Sequence, residues 1–141
     1  MLVDLVNNSN DIIQSYSGKG LTDYLGSTDK IIEKYIVETK IKGLNLLLAG
    51  SDLSNQTELL ESTKMKETLD ILEKIYDVVI IDSSNVIDSA NTLGIAKIAR
   101  YTILVVSERK TKMENVIRAK NNIEDIGGNV IGNVLNKSNQ K

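Results

Sequence analysis

The chain has 141 residues, 41% of them hydrophobic and 26% charged, with a net charge of −2. That length supports one domain with its own core, and the balance gives no basic field for nucleic acid or an anionic membrane surface. Cysteine and histidine are both absent, which excludes a disulfide framework, thiolate chemistry, Ser-His-Asp catalysis and most zinc sites.

Proline is also missing, and the five aromatics are all tyrosine. The core must therefore rest on Ile, Leu and Val. No apolar run reaches the ~20 residues of a membrane span, and no signal peptide opens the chain, so the expectation is a cytoplasmic protein without direct membrane insertion.

In chain order, the opening "MLVDL" reads as a strand cut short at its N-terminus, with Asp4 near its end. "SYSGKGLTDYL" (15–25) then offers a Gly-Lys-Gly that invites comparison with a phosphate loop. Such a loop needs G-x-x-x-x-G-K-[ST], so that backbone N–H groups wrap the phosphates and a hydroxyl reaches Mg²⁺. Here the position of the first glycine is Ile13, and Gly20 follows Lys19 where a hydroxyl is required. The pattern is not a Walker A, and Lys19 is most economically a solvated loop lysine.

"KYIVETK" (34–40) fits either an edge strand or a helix end, and "GLNLLLAG" (43–50) reads as a buried strand. One helix is expected over 56–76, where Leu59, Leu60, Met65, Leu69, Leu72 and Ile75 form a stripe. "DVVIIDS" (77–83), "YTILVVSE" (101–108) and "NVIGNVLN" (129–136) complete the strands. Helices are expected over 89–100 and 111–127, the last ending where Gly127 or Gly128 can take a left-handed cap. The strand runs are nearly continuous and β-branched, as in a sheet covered on both faces. The alternation predicts an α/β fold: an open, mostly parallel sheet with helices on both faces, forming a single domain over 1–141.

Ligands of open α/β sheets sit beyond the carboxyl ends of the strands. The residues expected there are Asp4, Gly50-Ser51-Asp52, Asp82-Ser83-Ser84, Ser107-Glu108 and Asn136-Lys137. Asp82 closing "DVVIID" has the Walker B pattern, in which the carboxylate holds Mg²⁺ directly or through water. The competing reading is a strand-end aspartate that caps the next helix. A receiver-like arrangement of Asp82, Ser107 and Lys137 lacks the acidic pair after the first strand and the final helix that such a domain needs.

Four segments, "GLTDYL" (20–25), "NQTELL" (55–60), "YDVVIIDSSNVIDSA" (76–90) and "GNVIGNVLN" (128–136), occur in this order. Together the chain resembles the bacterial tyrosine kinases of capsular and exopolysaccharide biosynthesis, which share a P-loop fold with the MinD and ParA ATPases. Their usual forms read G-L-S-D-Y-L, N-P-x-E-L-L, Y-D-x-V-I-I-D-x-P-P-V and G-V-V-L-N. The resemblance implies a metal-binding role for Asp82, a remnant catalytic or metal carboxylate at Asp4 and an adenine-reading amide at Asn136. It also implies Mg-ATP as cofactor. Asp4 has a bland alternative as a surface strand-end aspartate, and Asn136 as a turn cap.

The departures are specific. The family's Walker A and its strand would lie N-terminal to Met1. In its D-x-D-x-R motif Asp4 falls near the second aspartate, Leu2 takes the first position and Val6 that of the arginine. Gln56 and Ser84-Asn85 replace prolines, and no tyrosine-rich tail follows Asn136. The expectation is a degenerate or truncated kinase-like module, non-catalytic and regulatory, whose partners are a kinase paralogue, a membrane adaptor of polysaccharide export or a second copy. Such an adaptor would recruit it to the inner face of the membrane. The alternative is part of an active ATP-dependent protein-tyrosine kinase completed by upstream sequence or a partner chain. Tyr24 and Tyr35 are candidate phosphorylation targets of a competent kinase.

Overall fold

A computed structural model describes residues 1–5, 18–51 and 55–137. Val6, Asp52 and the polar tail after Lys137 lie outside the described residues. The chain divides into two compact units, Met1–Ser84 and Asn85–Lys141.

The first unit is built on a four-stranded sheet of order β2-β3-β1-β4, comprising β1 (Leu2–Asp4), β2 (Ile36–Glu38), β3 (Asn45–Leu47) and β4 (Ile80–Asp82). β1 pairs in parallel with β3 and with β4, whereas β2 adds to β3 in antiparallel register. The ambiguous 34–40 segment contains both alternatives: a 3-10 turn over Ile32–Tyr35 runs directly into edge strand β2. Val3, Leu46 and Leu47 are wholly buried, as the apolar runs require.

α1 (Leu21–Gly26) occupies the "GLTDYL" segment, and the single helix expected over 56–76 is two, α2 (Gln56–Glu61) and α3 (Thr63–Ile75). Ser62 makes the break. Its hydroxyl donates to the Leu59 carbonyl at 2.6 Å and accepts from the Met65 N–H at 3.1 Å, so one side chain ends α2 and caps α3. The apolar stripe continues across it, with Leu60, Met65 and Leu72 buried. Lys64 reaches from α3 to the carbonyls of Tyr24 and Ser27 and lies 4.1 Å above the Tyr24 ring. It thereby adds a donor at the Tyr24 carbonyl, which also accepts from the Ser27 N–H and hydroxyl, and one at the Ser27 carbonyl. Tyr24 and Tyr35 meet edge to face at 5.3 Å in the core. Both are buried, so neither ring is presented to a kinase in the folded chain.

The second unit holds α4 (Ala90–Ile98), β5 (Thr102–Ser107), α5 (Met113–Asp125) and β6 (Val130–Asn136). β5 and β6 form a parallel pair, and Val86, Ala96, Ala119 and Ile123 form a cluster against which Leu104 and Val130 pack. Gly127 takes the left-handed cap at φ +85°, while Gly128 leaves no room for a side chain beside Ile123 and the Ala96 carbonyl.

The mostly parallel α/β architecture is as the sequence predicts. Cover on both faces is less complete than the continuous apolar runs suggest. Ile80 of β4, and Ile103 and Val105 of β5, are more than half exposed. β4 ends its sheet, and in β5 only the alternate side chain Leu104 packs into the helical cluster.

Candidate functional site

The parallel register of β1 and β4 places Asp4 directly beside Asp82 at the carboxyl ends of adjacent strands, about 4.8 Å apart along the sheet. The Leu5 N–H donates to the Asp82 carbonyl at 3.0 Å, which carries the pairing one residue past the strands. Asp82 is exposed, whereas Asp4 is wholly buried. The surface reading of Asp4 is therefore corrected: β1 lies between β3 and β4, and the sheet encloses it. Gln56 at the start of α2 donates to the Leu5 carbonyl at 3.4 Å and brings that end of the helix alongside. Among the described residues no three acidic, histidine or cysteine side chains cluster as a metal site.

The Gly-Lys-Gly turn is occupied by the chain itself. The Leu21 and Thr22 N–H groups donate to the Leu48 and Ala49 carbonyls, each at 2.8 Å. The Asp23 carboxylate accepts from the Gly20 N–H at 2.8 Å, from the Ser51 N–H at 2.9 Å and from the Ser51 hydroxyl. Burial pushes the Asp23 carboxyl up, but the donors from Ser51 and Gly20 together outweigh it and hold the group below the ordinary carboxylate range. These N–H groups, of the kind a phosphate loop would offer, here serve an internal anion. Gly20 is required by contact: a Cβ there would lie 2.3 Å from the Leu48 carbonyl oxygen and 2.5 Å from the Gly50 nitrogen. Gly50 has φ +110°, which favours glycine. The sequence signal for this arrangement was the Asp three residues after Gly20, an N3 acid at a helix start; its partnership with Ser51 has no local signal.

Asn136 ends β6 in the second unit, in register with Ser107. Its side-chain oxygen accepts from the Lys137 N–H at 2.8 Å, and Lys137 turns through φ +59°. Its backbone carbonyl accepts from the Glu108 N–H at 3.0 Å. In this geometry the amide oxygen caps a turn, while Asn136 remains exposed.

No protein-family model matches the chain. It is 33% identical to CapB of Staphylococcus aureus over 102 residues, covering 72% of this chain and 45% of that protein. It is 31% identical over 123 residues to the tyrosine-protein kinase CpsD of Streptococcus agalactiae serotype III, covering 86% of this chain and 52% of that one. The chain thus spans about half the length of these curated relatives. The solved kinase domain of VpsO superposes with a TM-score of 0.87 at 27% identity, covering 98% of this chain and 70% of that one. Among the described residues no helix is long and apolar enough to cross a membrane. Homologues of this chain are the bacterial tyrosine-protein kinases of capsule and exopolysaccharide biosynthesis, and the solved structures it matches are their kinase domains.

Proposed function

We propose that residues 1–141 form a single kinase-like domain that works in polysaccharide assembly as a non-catalytic binding or regulatory module. One observation carries this reading. The chain's only Gly-Lys pair leads into a turn whose Gly20 N–H is already committed to Asp23, and no G-K-[ST] occurs elsewhere. Phosphoryl transfer depends on backbone donors, a loop lysine and Mg²⁺ gathered around the β- and γ-phosphates. Asp82 is compatible with a metal ion, since Mg²⁺ takes one or two carboxylates with water and phosphate oxygens. The phosphate cradle has no counterpart among these residues, so the set does not fit Mg-ATP by itself.

Calorimetric titration of the purified chain with MgADP and MgATP tests this. Absence of binding up to millimolar nucleotide is expected; micromolar binding would overturn the reading. Such a module acts through partners: a kinase paralogue, a membrane adaptor or another copy of itself.

The retention of Asp4 and Asp82 in register favours one second reading, in which the chain is part of an active tyrosine kinase completed by further polypeptide. In that case addition of a Walker A-bearing polypeptide restores phosphorylation, and Asp82→Asn abolishes it.

A further inference from the structure

In the first unit, β2 and β3 are joined by a turn at the amino end of β3, away from the strand ends that carry Asp4 and Asp82. Thr39 closes this turn. Its N–H and hydroxyl both donate to the Leu44 carbonyl, at 3.3 and 2.7 Å, and its hydroxyl oxygen accepts from the Ile41 N–H at 3.1 Å. The Ile41 carbonyl accepts from the Leu44 N–H at 3.0 Å, and Gly43 turns through φ +82°. Both backbone groups of Ile41 are thus tied into the turn, which holds the residue at its tip and off the sheet. Its side chain is 57% exposed and stands between Lys40 and Lys42, which are exposed as well. Among the described residues neither lysine forms an ion pair. The nearest acid in sequence, Glu38, lies back on β2. A lone exposed isoleucine is ordinary on a protein surface. One fixed at the tip of a hydrogen-bonded turn, with an uncommitted cation on each side, is preorganised for a surface that is apolar within and anionic at its rim.

We propose that the Lys40-Ile41-Lys42 turn seats on an anionic lipid bilayer, with Ile41 entering the interface and both lysines meeting lipid phosphates. Lysine stems lie along the apolar boundary while their ammonium groups stay among the headgroups. The convex tip favours a bilayer over a protein. A bilayer offers its apolar interior and mobile headgroups to any protruding turn, whereas a protein partner needs a pocket of matching shape. The net charge of −2 gives the whole chain no basic field, so the attraction is confined to this turn. One apolar side chain and two cations make a weak, reversible contact and not an anchor. This goes beyond the proposed function, because the contact requires neither a nucleotide nor a partner chain.

The test uses the whole chain, which contains no tryptophan, so Ile41→Trp carries the only one and reports its own surroundings. Vesicles of phosphatidylcholine alone, or of phosphatidylcholine and phosphatidylglycerol in equal parts, are titrated to millimolar lipid. The Ile41→Trp emission is expected to shift to the blue with the anionic vesicles and to stay unchanged with the zwitterionic ones. Ile117→Trp, at an exposed position on α5, is the control and is expected not to respond. Co-sedimentation of the parent chain with the same vesicles gives the partition without any substitution at the tip. Replacing Lys40 and Lys42 together by glutamine is expected to lower that partition about 25-fold, or about fivefold for each lysine, with the unfolding midpoint retained. Four results would overturn the proposal: no shift at millimolar lipid, equal shifts with both vesicles, an equal response from Ile117→Trp, or a shift produced by polyglutamate and not by vesicles. Nucleotide titration addresses the proposed function separately, so either idea can fail alone.

Discussion

Replacing Gly20 with alanine tests the packing between α1 and the β3–α2 connection. The backbone at Gly20 is extended, with φ −134° and ψ −155°, so an alanine meets no conformational obstacle there. The obstacle is contact. Its Cβ would stand 2.3, 2.5 and 2.7 Å from the Leu48 oxygen and the Gly50 nitrogen and Cα, all backbone atoms. Relief requires the two segments to part by about an ångström, which strains the bonds from Leu21 to Leu48 and from Thr22 to Ala49. Overpacking costs about 1–3 kcal/mol and each lost backbone bond about 1 kcal/mol net. A total near 3 kcal/mol is a large share of the ~5–15 kcal/mol that holds a domain together. With an m-value near 1.5 kcal/mol/M, the urea midpoint should fall by about 2 M. Gly26→Ala is the control, because nothing lies within 4 Å of its Cβ, and it should leave stability unchanged or raise it by about 0.5 kcal/mol. Equal midpoints for the two variants would refute the reasoning.

Asp23→Asn should lower stability at neutral pH and flatten its dependence on acid. The folded carboxyl titrates below its ordinary value, so its contribution is present above about pH 4 and is lost as pH falls through the folded value. Asp29, held down by its hydrogen bond from Lys34, titrates in the same window and is unaffected; urea midpoints measured between neutral and acid pH separate the two, and an unchanged slope in the variant would contradict this account. Thr22→Val should be neutral or mildly stabilising in thermal melts, since the buried Thr22 hydroxyl finds no hydrogen-bond partner among the described residues. Ser62→Ala should cost about 1 kcal/mol by removing the cap of α3, visible as a lower midpoint and reduced helical ellipticity. Asp82→Asn, at an exposed strand end, should change stability by no more than about 0.5 kcal/mol in thermal or urea melts, and on the proposed function its titration with MgATP should match that of the parent chain.

The 34–40 segment that holds β2 left edge strand and helix end open, whereas five of the strands were legible because Ile, Leu and Val dominate their segments, in β6 with Gly132-Asn133 between them. Their partners were not, since order and register follow from contacts distant in sequence, such as Leu2 with Leu46 and Ile80. The helix over 56–76 reads as one because its apolar stripe continues through Ser62; the break depends on a hydroxyl hydrogen bond that periodicity does not register. The strand-end aspartates were legible as a type, an acid closing an apolar run. Their difference in burial was not, because it depends on which strand lies inside the sheet and which at its edge.

The Gly-Lys-Gly turn shows how one physical principle supports two opposite readings of the same residues. Backbone N–H groups at a helix start favour a nearby negative charge, whatever group carries it. A phosphate loop leaves such donors free for a ligand by placing small, uncharged residues around them. In this chain an aspartate stands at the third position of the helix and a serine at the neighbouring turn, so the anion comes from within. What the ligand would have gained by binding contributes instead to fastening α1 to the β3–α2 connection. The residue that holds this turn together is thus Asp23, and not the Gly-Lys pair that first draws the eye. Removing its charge while keeping its shape, as in Asp23→Asn, should loosen the fold without creating a nucleotide site, because Gly20 still supplies no hydroxyl and its Cβ position remains filled by backbone.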